Sequence, residues 1–316
     1  MLYTSFLNCV TNCLKARLGD SFLVSVEQIP KNNGTAADAL CIRHKLESAS
    51  PTIYLKPYYD AFCSGIPLND ILDHILELYR STILPSSMNL TPLNTLSDIQ
   101  TKVVFRAINA SANRSLLSSS PHAIWPDLDL AFVFYLFLLD SQEGQLASLI
   151  TRENQQSWKV SDRQLLELSM TNTPRLLPLS FQSLSQVIGQ DLGSSSSCYD
   201  ASFPLYVLSN RNGIYGAGAM FYPNALSRAA IEMKCEKLFI LPSSVHEVLL
   251  TPYWEQISCR QLADTVYQIN TEEVPVEDRL SNHIYTYSLK ERKLSLAFHS
   301  PCPIETENPS EKQQEQ

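Results

Sequence analysis

The chain has 316 residues, 44% hydrophobic and 18% charged, a globular composition with length enough for one large domain or two ordinary ones. Its net charge of −8, with no cluster of Lys and Arg, argues against a protein that works by neutralising nucleic-acid phosphates. The eight cysteines form no CxxC, so reduced thiols acting as small hydrophobes are expected, with no cofactor and no metal.

The opening MLYTSFLNCVTNCLKARLGD lacks the basic region, unbroken apolar core and cleavage site of a signal peptide, so a cytoplasmic protein is expected. Phe6, Leu7, Val10, Leu14 and Leu18 recur at helical spacing and predict an amphipathic helix. Cys9 and Cys13 share a face of it, but no further metal ligand follows. FLVSVEQI (22–29) and ALCIRH (39–44) read as strands joined by KNNG, whose Asn and Gly tolerate positive φ. Residues 50–65 pass from an extended segment into a short helix ended by Gly65. The stripe of Ile71, Leu72, Ile75, Leu76 and Tyr79 predicts a helix over 68–80.

The proline-broken segment 84–98 reads as loop with room for one helical turn, 102–108 as strand and 109–118 as a short helix. Residues 128–139, rich in aromatics, fit a central strand buried on both faces, with a helix the alternative at that length, and 145–151 lies beyond it. Their apolar core, LAFVFYLFLL, is too short to span a bilayer, which takes about 20 residues, so no membrane partner is expected. Ser161 and Gln164 form a capping-box pattern for a helix that should stop before Pro174. The serine tract 189–203 is the best internal boundary. Beyond it, 204–210 reads as strand, 216–222 as strand or the start of a helix, and 223–234 as helix. Then 237–241 and 246–250 read as strands, 259–272 as helix, 283–288 as the last strand, and 291–316 as a disordered acidic tail. Without strict alternation of strands and helices, the predicted class is α+β, with mixed, largely antiparallel sheets and flanking helices.

LPSSVHEVLL (241–250) gathers serines, a histidine and a glutamate. No glycine flanks Ser243 or Ser244, so the strained elbow of a G-x-S-x-G hydrolase is missing, and a strand pattern follows where a helix is needed. In such a strand Glu247 points away from His246 and cannot orient it as a triad acid does. Leucine stands where a zincin's second histidine belongs. A proline–serine corner with His246 bonded to loop backbone is the simpler reading. Gly213, Gly216 and Gly218 lack the third glycine of a dinucleotide fingerprint and the G-K-[ST] of a phosphate loop, so close backbone packing explains them equally well. Asp127 and Asp129, beside Trp125, could line a cleft but read better as a strand cap.

Seven segments carry a resemblance: KNNG (31–34), SPTIYLKPYY (50–59), NTPRLLP (172–178), LYVLSN (205–210), YGAGAMFYP (215–223), FILPSSVHEVLL (239–250) and VEDRLSNHIYTY (276–287). Through them the chain resembles an uncharacterised family of bacterial soluble proteins, a domain of unknown function. The resemblance implies one family region over residues 1–290, with two lobes (1–188 and 204–290) joined at 189–203 as the weaker alternative. It implies no activity and no catalytic residues.

The expected function is therefore binding of a protein partner or small ligand without catalysis. The face expected for it is where the glycine loop and the serine–histidine corner could meet: Asn210, Arg211, Tyr222, Ser243, Ser244 and His246. The alternative is a hydrolase of dispersed groups with His246 as general base.

Overall fold

The computed structural model describes residues 1–45, 52–82, 95–141, 144–191, 204–242 and 244–304. The chain divides into two compact units, Met1–Lys31 with Thr35–Thr91, and Asn32–Gly34 with Pro92–Gln316. The architecture is α+β, with three antiparallel sheets.

The first unit opens on helix α1 (Tyr3–Leu18), whose Phe6, Val10 and Leu14 are buried at helical spacing. Strands β1 (Phe22–Pro30) and β2 (Ala36–His44) form an antiparallel hairpin, and β3 (Thr52–Tyr54) pairs with β2. Helices α2 (Lys56–Cys63) and α3 (Leu68–Thr82) follow. Gly65, at φ 99°, follows α2 in a conformation that a side chain rarely adopts. Val24, Leu40 and Ile42 join Ile71, Leu72, Ile75, Leu76 and Tyr79 of α3 in one core with the α1 stripe.

The second unit begins its main run with the single turn α4 (Leu96–Ile99), strand β4 (Val103–Asn109), helix α5 (Arg114–Ser119) and strands β5 (His122–Ile124), β6 (Leu130–Ser141) and β7 (Gly144–Leu149). β6 pairs with β4 along one edge, and β5 and β7 share the other. It is buried on both faces, as its apolar sequence predicts. Phe132, Phe134 and Leu136 enter the main core, while Ala131 and Val133 enter a smaller cluster on the opposite face.

Next come α6 (Arg152–Trp158), α7 (Asp162–Leu176), β8 (Leu179–Ser183), α8 (Leu184–Asp191), β9 (Tyr206–Asn210), α9 (Ala225–Glu232), β10 (Lys237–Leu241), β11 (Val248–Pro252), α10 (Cys259–Glu272), β12 (Ile284–Ser288) and β13 (Lys293–Phe298). The six strands form one sheet in the order β13-β12-β10-β11-β9-β8. Alternation along β10 sorts its two faces. Leu238 and Ile240 enter the main core with β4 and β6, while Phe239 and Leu241 pack with Ala263 and Val266 of α10.

Several expectations are corrected. The helix capped by Ser161 runs through Pro174 to Leu176. Tertiary bonds hold its last turn against β4: Thr173 Oγ1 accepts the Phe105 N–H at 3.0 Å, and Asn172 Nδ2 donates to the Val103 carbonyl at 3.1 Å. Residues 216–221 form a wholly buried 3₁₀ turn. β11 begins at Val248, since the His246 N–H goes to Ser244 Oγ and the His246 carbonyl accepts from Ser209 Oγ, leaving neither for the sheet ladder. The segment expected to be disordered from 291 supplies β13, where Leu294 and Leu296 pack on the main core. The division into units falls between 91 and 92, whereas β8 and β9, on either side of the serine tract, pair directly. Most of that tract (192–203) lies outside the described residues, as do Ser243 and residues 305–316.

Candidate functional site

In the second unit the glycine loop after β9 meets the corner before β11. A Cβ on Gly216 would lie 2.1 Å from Ser209 Oγ and 2.6 Å from the His246 carbonyl oxygen, so only glycine permits this approach. Ser209 Oγ donates to that carbonyl at 2.7 Å, and the Ala217 N–H donates to the Val245 carbonyl at 3.1 Å. The close approach places Tyr215 in the left-handed region at φ 51°, which is uncommon for an aromatic residue.

His246 is fully engaged. Its Nδ1 accepts the Tyr215 N–H at 3.2 Å, and its Nε2 lies 3.1 Å from Asp278 Oδ1. These partners fix the neutral tautomer with the proton on Nε2. The hydrogen bond to Asp278 raises the histidine's pKa. Burial opposes that rise, and the charges of Asp278 and Glu247 and the Gly213 carbonyl reinforce it. The amide donated into Nδ1 also favours the neutral ring. The full charge of the carboxylate outweighs one amide dipole. The His246 and Asp278 side chains are 29% and 31% exposed, so the pair reaches solvent.

The other expected residues divide between scaffold and surface. Ser244 is buried, and its Oγ accepts the His246 backbone N–H at 2.9 Å. Asn210 is buried and closes the glycine loop, donating to the Ile214 carbonyl at 2.9 Å and accepting the Asn212 N–H at 3.0 Å. Tyr222 is buried, with its hydroxyl donating to the Leu177 carbonyl at 2.9 Å, and burial pushes its pKa up. Arg211 is exposed. Asp127 sits exposed in a turn at φ 65°, apart from the half-buried Asp129.

Sequence reasoning missed three features. The first is Asp278, 32 residues from His246. Its turn is pinned by Asn33, whose Nδ2 donates to the Val276 and Arg279 carbonyls at 2.7 Å each. Asn33 is itself clasped by Asn113: its N–H donates to Asn113 Oδ1 at 2.8 Å, and its Oδ1 accepts Asn113 Nδ2 at 2.9 Å.

The second is a network around Asp129. Its carboxylate accepts from Asn109 Nδ2 at 2.9 Å, Ser281 Oγ at 2.8 Å and the Tyr285 hydroxyl, and His283 Nε2 stands 3.8 Å away. Burial drives the Tyr285 pKa far up. Burial also lowers the pKa of His283, with Asp129 opposing the shift and neighbouring His299 adding to it. Ser281, His283 and Tyr285 alternate along the chain into β12, a spacing that the sequence displayed.

The third is Arg106 on β4. Its guanidinium carbon lies 4.0 Å from the Tyr135 ring centre and 3.9 Å from that of Tyr215. The Tyr215 ring lies in turn 5.4 Å from that of His246. An arginine inside the apolar run KVVFRAI was the available signal.

Among the described residues no group of three or more His, Cys, Asp and Glu could hold a metal ion, and no helix is long and apolar enough to cross a membrane. No curated protein and no solved structure matches the chain. Residues 3–289 match the model of a family of unknown function (DUF5688), and the chain belongs to that family.

Proposed function

We propose that the protein works by binding, at the face where the glycine loop, the corner 244–247 and the turn 276–279 converge. One observation carries this reading. In a Ser-His-Asp triad one imidazole nitrogen faces the carboxylate and the other takes the nucleophile's proton. Here Asp278 fills the first role, and the Tyr215 backbone N–H occupies the nitrogen that a nucleophile would need. The Ser244 hydroxyl is turned to backbone. The arrangement holds a surface in place rather than moving a proton. The ligand is a protein partner or a small molecule, and the acidic balance speaks against nucleic acid. A cytoplasmic setting belongs to the same reading, supported by the free thiols of Cys9, Cys13, Cys41, Cys63, Cys235, Cys259 and Cys302.

The test compares wild type with His246→Ala on p-nitrophenyl acetate, p-nitrophenyl phosphate and a peptide p-nitroanilide. Equal background rates are expected. A wild-type rate that His246→Ala abolishes would establish the hydrolase alternative, with His246 as its general base.

A further inference from the structure

The Arg106 guanidinium has an unusual setting. It rests against the Tyr135 and Tyr215 rings, and among the described residues no carboxylate or carbonyl takes its N–H donors. Its strand position explains the placement. Arg106 stands opposite Val133 of β6, between Val104 and Ile108, which are buried in two separate clusters on the same face. The side chain is half buried. Tyr215 is held over it by the left-handed backbone at φ 51° and by the bond from its N–H to His246.

A guanidinium whose faces lie on aromatic rings can receive a partner only in its own plane. In that plane it offers a flat fork of donors that matches the two oxygens of a carboxylate. Phosphate offers the fork the same pair of oxygens, but its second negative charge would be met by only one cation.

We infer that Arg106, stacked on Tyr135 and Tyr215, is the recognition group for a ligand carboxylate, supplied by a small organic acid or by the C-terminus of a peptide. The inference rests on the binding reading above and gives it a ligand chemistry.

The test follows the Arg106 Nε–H and Tyr215 amide signals by NMR in the full chain. The probes are sodium propionate, an acetylated tripeptide with a free C-terminus, the same tripeptide amidated, and inorganic phosphate, at matched ionic strength. Saturable shifts are expected with propionate or the free-acid peptide, none with the amide, and weaker ones with phosphate. Propionate alone would assign a small acid as the source, and a tighter free-acid peptide would assign a chain terminus. Arg106→Gln should abolish the response. Arg106→Lys, which keeps the charge but loses the fork, should weaken it by at least roughly tenfold and remains informative if the glutamine variant fails to fold. Absence of saturable shifts with both carboxylates, equal response to amide or phosphate, or full binding by Arg106→Lys would overturn the inference. The nitrophenyl comparison is read on different variants, so it fails or stands separately.

Discussion

Gly216 sets the geometry of the candidate site because its Cα lies where any side chain would strike Ser209 and the His246 carbonyl. Gly216→Ala is expected to destabilise the protein by about 1–3 kcal/mol or more, measured by denaturant unfolding, since the clash is with backbone as well as a hydroxyl. An unchanged midpoint would mean the loop can move away freely. The half-buried His246 and the buried His283 should respond to pH with opposite signs. His246 has a folded pKa raised above the ordinary 6.5, so its contribution is complete below that value and fades as pH rises through the folded pKa. The stability gap between wild type and His246→Ala should therefore narrow from pH 6 to pH 9. His283 has a lowered folded pKa, so its neutral form is favoured by the fold and stability is lost as pH falls through about 6.5. The gap between wild type and His283→Asn should widen as pH rises from 5 to 7. Parallel slopes for the two variants would contradict this assignment.

At the scale of elements, α7 closes the free edge of β4 with side chains where another strand would use backbone. Thr173 takes the Phe105 N–H, and Asn172 donates to the Gln100 and Val103 carbonyls at 2.8 and 3.1 Å. Thr173→Val keeps the shape and leaves that buried N–H unpaired. It should cost about 1–3 kcal/mol by thermal or chemical unfolding. A neutral substitution would show that the edge does not depend on this bond. The same region shows where sequence is informative and where it stops. The stripes that built α1 and α3 were legible because burial follows a local period, and β6 because its apolar run suits a strand buried on both faces. The capping box was equally local: Ser161 Oγ accepts the Gln164 backbone N–H, and Gln164 Oε1 accepts the Ser161 backbone N–H, as predicted. The continuation of α7 through Pro174 was not, because bonds to β4 about seventy residues away sustain it. Likewise His246 was visible as a corner residue, but its partner Asp278 arrives from a separate turn. Asp129 and Tyr285 are separated by 156 residues and meet only in the folded sheet. β13 was overlooked because the polar composition around KLSLAF masked its alternation.

For the whole molecule, each compact unit has its own apolar core, and the cysteines that are described in both are free thiols. Adding reductant should therefore leave the thermal midpoint unchanged, and all eight cysteines should react with a thiol reagent after denaturation without reductant. Fewer reactive thiols would reveal a disulfide and contradict the proposed cytoplasmic setting. On the binding reading, the corner organises a surface with no imidazole nitrogen left for proton transfer. The most direct measurement is long-range ¹⁵N–¹H NMR of His246 through a pH titration. The expected result is a neutral ring protonated on Nε2, with Nδ1 accepting a hydrogen bond, that titrates above the ordinary 6.5 and drops on Asp278→Asn. A neutral ring protonated on Nδ1, or a pKa unmoved by Asp278→Asn, would leave a nitrogen available for catalysis and contradict the binding role.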